Sequence, residues 1–283
     1  MFLCDAKYYF RLLMVLLLLS INSPLGASGH RLVSTSPELT ELLFQLGKGG
    51  DIVGTPQFSA DPPDAGVIPV IGPLFMPSIE KTMRLAPDWV LLDTATLNAS
   101  YEAGLRSIKQ PSLRLDFSRI ASLFSESRRF LEAVYGESGS ATLRDTERCW
   151  QNLPHAEKTG HFLIFVWLSP PILAGNSTFI SDFISAFGGS NALEPSLRLA
   201  YPQVSEDWLA LHRVDTVYYL ASENGREQEV KQQMRKWWPN TSPSVVALPE
   251  RYFSRASLTP FHHLTELTDG TRILPRECYA LAQ

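Results

Sequence analysis

Side chains able to do chemistry are few and scattered in this sequence of 283 residues. There is no Gly-x-Ser-x-Gly elbow, no His-Glu-x-x-His and no Gly-x-x-x-x-Gly-Lys, so hydrolytic and phosphate-cradling chemistries have no local signature. Of the histidines, His262 and His263 are adjacent and would point in different directions on one helix. No spacing gathers them with His161 and His212 around one metal ion. Cys149 and Cys278 are open to two readings: a disulfide in an oxidising compartment, or two separately buried thiols. The 25 Lys and Arg residues form no basic run and the formal charge is -4, which argues against a nucleic-acid partner. What remains is the chemistry of holding a ligand, and the elements must supply the place to hold it.

The first 28 residues read as targeting. Lys7 and Arg11 precede an apolar run from Leu12 to Leu19, and Gly26, Ala27 and Ser28 offer a cleavage site. The run is short of the roughly 20 residues that span a bilayer. Cys4 lies before it, so no lipid anchor is indicated. Removal would leave a mature chain of charge about -5, soluble and exported.

The rest divides into two halves of similar plan, residues 29–115 and 154–283, around a helical connector at 116–153. In the connector Phe117, Ile120, Phe124, Leu131, Val134 and Tyr135 recur at helical spacing. Gly136 interrupts the pattern, a second run follows, and Pro154 ends it, which reads as a stiff strut between the halves. In the first half Arg31-Leu32-Val33-Ser34 is a strand, and Ser36-Pro37 starts a helix that Gly47 stops. Strands are expected at 51–54 and 67–71. Pro77-Ser78-Ile79-Glu80 opens a second helix, and Trp89-Val90-Leu91-Leu92 is a buried parallel strand. In the second half 162–166 is again a buried strand, and the helix carrying Phe179, Ile180, Phe183, Ile184 and Phe187 stops at Gly188-Gly189. Residues 227–238 read as a solvated surface helix. Glu80 leads a helix and Asp88 opens a strand eight residues later; Asp207 and Asp215 repeat the arrangement. Two α/β lobes with parallel central sheets, joined by a long connector helix, leave a cleft suited to a small molecule.

Several of these residues resemble a known family. Pro37-x-x-Thr40-Glu41-Leu42-Leu43, Ile52-Val53-Gly54, Pro62-Pro63 and Leu85-x-Pro87-Asp88 look like the first lobe of periplasmic substrate-binding proteins of ABC importers for cobalamin, siderophores and haem. Pro170-Pro171, Gly175, Gly188-Gly189-x-Asn191, Tyr201-Pro202-Gln203-Val204-Ser205 and Phe253-x-Arg255-Ala256-Ser257 are most similar to the vitamin B12 (cobalamin)-binding members.

The resemblance implies a monomeric periplasmic receptor with no enzymatic activity and no cofactor of its own. It would close only slightly on its ligand and dock on an inner-membrane ABC permease. Permease contacts would come from Glu80 on one lobe and Asp207, with Glu206 beside it, on the other. The ligand would meet Phe58, Phe75, Trp167, Tyr201, Tyr252 and Arg255. Asp61 and Arg251 depart from the pattern, standing where cobalamin binders can carry an aromatic and an acid. Iron-siderophore or haem is the rival ligand, with Arg251 and Arg255 placed to meet an acidic chelate. A zinc or manganese receptor and a cleft enzyme without a familiar motif are the remaining alternatives.

Overall fold

The computed structural model describes residues 29–282 apart from 155–159, 195–198, 222–226 and 269–273. The expected export segment, 1–28, lies outside the described residues. The first lobe runs β1 (Leu32–Ser34), α1 (Pro37–Gln45), β2 (Ile52–Gly54), α2 (Ile79–Arg84), β3 (Trp89–Asp93), α3 (Ala99–Ser107) and β4 (Ser112–Leu115). Its four parallel strands take the order β2-β1-β3-β4. Ser36 caps α1 by accepting from Leu39 N at 3.1 Å, and Ser78 caps α2 from Lys81 N at 3.3 Å.

The connector is α4 (Ile120–Tyr135), a helix of 16 residues. Its entry is fixed by Asp182 of the second lobe, which accepts from Ile120 N at 3.1 Å and pairs with Arg119. Gly136 closes α4 at φ 67°, a conformation glycine adopts without the Cβ penalty. The chain then reverses. In α5 (Ala141–Gln151) Glu147 pairs with Arg128 of α4, so the second helical run folds back on the first instead of prolonging the strut.

The second lobe runs β5 (His161–Leu168), β6 (Pro171–Leu173), α6 (Phe179–Ala186), β7 (Ser190–Asn191), α7 (Glu206–Leu211), β8 (Thr216–Ala221), α8 (Glu227–Trp237) and β9 (Ser244–Pro249). Short helices α9 (Glu250–Phe253), α10 (Thr259–His262), α11 (Leu264–Leu267) and α12 (Arg276–Tyr279) follow. The parallel strands β7, β5, β8 and β9 are neighbours in the same order as the first sheet, with β6 added antiparallel to β5. Thr178 and Ser205 cap α6 and α7, as Ser36 and Ser78 cap α1 and α2.

The repeat extends to two carboxylates. Asp88 Oδ2 accepts from Arg31 N at 2.8 Å, just before β1, and Asp215 Oδ2 accepts from His161 N at 2.6 Å, the first residue of β5, so each holds the start of its lobe's central strand. Strand faces alternate as a sheet covered on both sides requires. Leu32, Leu91, Phe162 and Ile164 join one apolar cluster with Phe124 and Phe130 of α4, while Val33, Val90 and Leu92, and Leu163 and Phe165, point into separate outer clusters. The lobes therefore share one inner core through the connector. Cys149 and Cys278 lie in that core, joined as a disulfide that ties α5 to α12.

The expected strand at 67–71 is absent. Pro63–Val67 is a 3-10 turn, and of the following residues only Val70 makes a bridge, to Thr55. Pro69 has no N–H to extend a ladder; its carbonyl accepts from Thr55 N at 3.0 Å.

Candidate ligand cleft

In both lobes the carboxyl ends of the parallel strands carry the loops that meet between the lobes, the place where open α/β sheets present binding sites. From the first lobe come the Ser34-Thr35-Ser36 turn after β1, the loop with Phe58 and Asp61 after β2, and Asp93 at the end of β3. From the second come the ends of β8 and β9, with Arg255 beyond them. A cavity of about 580 Å³ lies between Asp61 on one side and Ala221, Ala247, Pro249, Glu250 and Arg255 on the other. A second, of about 620 Å³, shares Ala221 and Glu250 and continues along Trp167, Leu168 and Ser169. Each has the size of a small-molecule site.

Large aromatic side chains expected in the cleft are held open to solvent: Phe58 is 74% exposed, Phe75 62%, Trp167 61% and Tyr201 57%. Rings of this size are normally buried, so all are available to a partner surface. Their backbones are fixed. Phe58 sits at φ 71° ahead of the cis Asp61-Pro62 bond. Asn98, which also caps α3, donates from Nδ2 to Phe75 O at 2.9 Å. Trp167 ends its strand ahead of the cis Ser169-Pro170 bond, and its indole donates to Ser169 O at 2.8 Å. Gly175 N donates to Ala200 O at 2.7 Å, and a Cβ on Gly175 would come within 2.7 Å of Leu199 O. That glycine lets the segment carrying Tyr201 run alongside the loop after β6.

Tyr252 is placed differently. It is 4% exposed, stacks on His263 at 4.2 Å, donates to Glu266 Oε2 at 2.6 Å and accepts from Arg251 at 2.8 Å. Its ring is built into the helical end of the second lobe and does not line the cavities. Burial, then the Glu266 hydrogen bond, pushes its phenol up. Arg255 does reach the cleft, already engaged: Nη1 lies 3.3 Å from both Glu41 Oε2 and Asp61 Oδ2. Glu41 also accepts from Ser257 Oγ at 2.8 Å and from Thr259, while Gln45 accepts from Leu258 N at 2.8 Å. The helix α1 is thereby stapled to residues 255–259 of the opposite lobe. Arg251, the other arginine at the cavity, pairs with Glu266 and lies over the Tyr252 ring.

Sequence reasoning missed the acids under this latch. Asp93 is buried and accepts from Ser36 Oγ at 2.6 Å and Ala95 N at 2.9 Å. Glu38, in the first turn of α1, has an Oε2 shielded from solvent and without a hydrogen-bond partner among the described residues. Burial pushes both carboxyls up, and their proximity to one another raises Glu38 further. Arg255, from the opposite lobe, acts on Glu38 in the opposite sense. A Glu one residue after the Ser-Pro helix start was visible in the sequence, but only as a dipole-compensating acid.

The acids expected to face a permease are exposed on separate lobes. Glu80 lies in the first turn of α2 and pairs with Arg84. Glu206 is engaged by Lys236, 3.1 Å from both its oxygens, which holds its carboxyl below the usual range. Asp207 is exposed. Among the described residues no group of three or more His, Cys, Asp or Glu is placed to hold a metal ion, and no helix is long and apolar enough to cross a membrane.

No protein-family model matches the sequence. Individual relatives do. The chain is 24% identical over 250 residues to a vitamin B12-binding protein of Yersinia pseudotuberculosis, covering 86% of each, and 23% identical over 251 residues to that of Photorhabdus laumondii. Among solved structures, the periplasmic vitamin B12-binding protein of Vibrio cholerae superposes with a TM-score of 0.69 at 19% identity, over 90% of this chain and 98% of that one. The apo periplasmic heme-binding protein of Roseiflexus sp. RS-1 does so with 0.65 at 21%, over 90% and 100%. Sequence and fold thus agree that this chain resembles the two-lobed, helix-bridged periplasmic proteins to which the B12-binding and haem-binding proteins belong.

Proposed function

We propose that this chain is the periplasmic solute-binding component of an ABC importer, capturing cobalamin between its lobes and delivering it to a membrane permease. The observation that carries the reading is the set of exposed rings, Phe58, Phe75, Trp167 and Tyr201, drawn from both lobes, with Trp167 lining one cavity of small-molecule size and Phe58 three residues before Asp61, which lines the other. A corrin is broad and largely apolar across its faces and needs such platforms. The protein performs no chemistry; ATP hydrolysis in other subunits drives transfer. Since the lobes share one core through α4, wide opening would expose Phe124 and its neighbours, which favours a small closure. The export signal at 1–28 and a monomeric state complete the reading.

Calorimetric titration of the mature chain with cyanocobalamin, haem and a ferric hydroxamate tests it. Tight one-to-one cobalamin binding is expected, weakened about tenfold by Phe58→Ala or Tyr201→Ala. Binding of only an iron compound would move the ligand to the siderophore or haem class. Glu80→Ala with Asp207→Ala is expected to spare affinity and abolish uptake, because these acids orient docking. Unchanged uptake would remove the docking role.

A further inference from the structure

The first cavity is crossed by a contact between the lobes. Asp61, on the loop after β2, and Arg255, beyond β9, both line it, and Arg255 Nη1 donates to Asp61 Oδ2 at 3.3 Å. Glu41 Oε2 lies 3.3 Å from the same nitrogen. One nitrogen thus serves two carboxylates, at separations longer than the roughly 2.7–2.9 Å of a well-made charge-assisted hydrogen bond. The two acids are not equivalent. The Glu41 side chain is 10% exposed, and Ser257 and Thr259 donate to its other oxygen, so its departure would strand those donors. The Asp61 side chain is 66% exposed, and Arg255 is its one partner among the described residues. Released, its carboxylate is hydrated, so its departure costs little. Nε and Nη2 of Arg255 have no partner among the described residues, which lets the guanidinium take another acid while it keeps Glu41. The exchange this permits is selective. A negatively charged ligand oxygen replaces Asp61 like for like, whereas a neutral group that pushed Asp61 aside would cost Arg255 an ion pair.

We propose that Asp61 is a specificity residue that acts by competition: it occupies Arg255 across the first cavity, and a ligand takes its place by presenting an anionic oxygen of a phosphodiester or a carboxylate. This rests on the reading of the cleft as the ligand site and deepens it. Cobalamin carries a phosphodiester in its nucleotide loop and haem carries propionates. Asp61 therefore adds a charge requirement that the aromatic platforms alone would not impose.

Asp61→Asn removes the competing charge with little change of shape. Asp64→Asn, at an exposed position in the 3-10 turn that follows, removes the same charge from a residue that does not pair with Arg255. Both variants and the wild-type chain are titrated calorimetrically with haem, haem dimethyl ester, cyanocobalamin, and dicyanocobinamide, which lacks the phosphodiester; thermal melts confirm folding. Asp61→Asn is expected to tighten binding of haem or cyanocobalamin by about three- to fivefold, the scale of an exposed ion pair, and of its uncharged counterpart by about 1.5-fold or less. Asp64→Asn should stay within about 1.5-fold for all four, because solvent and salt screen an unpaired surface charge. A gain with haem over its ester assigns the carboxylate, a gain with cyanocobalamin over dicyanocobinamide assigns the phosphodiester, and either upholds the role. No gain, equal gains within a pair of ligands, or an equal gain from Asp64→Asn overturns it and leaves the cleft standing as the ligand site. Hydrogen exchange of the ligand-free chain supplies a second readout: amides of residues 58–61 should exchange faster in Asp61→Asn than in wild type or Asp64→Asn. Absence of cyanocobalamin binding overturns the cobalamin reading by itself. If haem does not bind either, faster exchange upholds the hold of Asp61 on Arg255 and unchanged exchange overturns it.

Discussion

The two lobes are the same scaffold put to different uses. Their sheets share a strand order, their helices are capped at equivalent turns by Ser36 and Thr178, and by Ser78 and Ser205, and Asp88 and Asp215 each hold the start of a central strand. What differs is what the carboxyl ends of the strands carry. The first lobe brings the partly buried Glu38 and the buried Asp93 with the exposed Phe58 and Phe75; the second brings Trp167, Tyr201 and the cation Arg255. A disulfide ties the connector to the second lobe. Repetition thus lies in elements whose job is to fold, and divergence in loops that meet the ligand, because strand and cap chemistry tolerates few solutions whereas loop chemistry is set by the ligand.

The largest expected effect breaks the symmetry of stability. Cys149 and Cys278 are separated by 129 residues, so their bond removes a long loop's entropy from the unfolded chain. Replacing both with Ala is expected to cost about 4 kcal/mol in urea unfolding of the oxidised protein. Hydrogen exchange locates the loss: β5 and β8 amides should lose protection before β1 and β3 amides. Equal losses in both lobes would mean that the shared inner core makes them one cooperative unit.

The elements shared by the lobes are also those that were legible in the sequence. Ser36-Pro37 and Gly47 bound α1, Gly188-Gly189 ends α6, and the spacing from Glu80 to Asp88 recurs from Asp207 to Asp215, since caps, breakers and period act over a few residues. The sequence does not reveal that α5 turns back on α4. That reversal is a tertiary choice, carried by Arg128 with Glu147 and by the disulfide. Tyr252 was expected near the cleft rim; nothing local distinguishes it from a surface ring, and it is buried by His263 and Glu266, more than ten residues downstream. Glu38 was passed over because its partial burial and the Asp93 charge near it are set by packing, not by its neighbours in the sequence. Sequence gives the positions of loops better than the company their side chains keep.

A second prediction sharpens the contrast between the buried acid of the first lobe and its surroundings. Burial raises the folded-state pKa of Glu38 above its ordinary value of 4.5, so the folded chain takes up that proton at higher pH than the unfolded chain. Above the raised value the ionised carboxylate burdens the fold. As pH falls through it toward 4.5 the wild-type chain gains stability, and below 4.5 both states are protonated and the gain ends. Glu38→Gln removes this dependence. Its Tm is expected to exceed wild type at pH 7, with the difference shrinking as pH falls toward 4.5. A difference constant with pH would show that Glu38 is as well solvated in the fold as in the unfolded chain.

The smallest effect tests the repeat itself. Asp88 and Asp215 are exposed, yet each carboxylate accepts an N–H at the start of a strand, and each backbone N–H returns to the carbonyl of the same residue at 2.8 Å. A hydrogen bond to a charged group at the surface contributes about 1 kcal/mol, some 2 °C in Tm for a chain of this length. Asp88→Ala and Asp215→Ala should therefore lower Tm by similar amounts, and Asp→Asn at either site should restore most of the loss, because the amide oxygen still accepts. The sites are not identical. Gly160, at φ 83° beside His161, leaves room for Asp215, whose Oδ2 would stand 2.9 Å from any Cβ placed there. Gly160→Ala should then cost more than Asp215→Ala, because backbone strain adds to the displaced carboxylate, and adding Asp215→Ala to it should cost little more. If the Gly160 and Asp215 effects add in full, the carboxylate holds the second strand by some route other than the one it shares with Asp88.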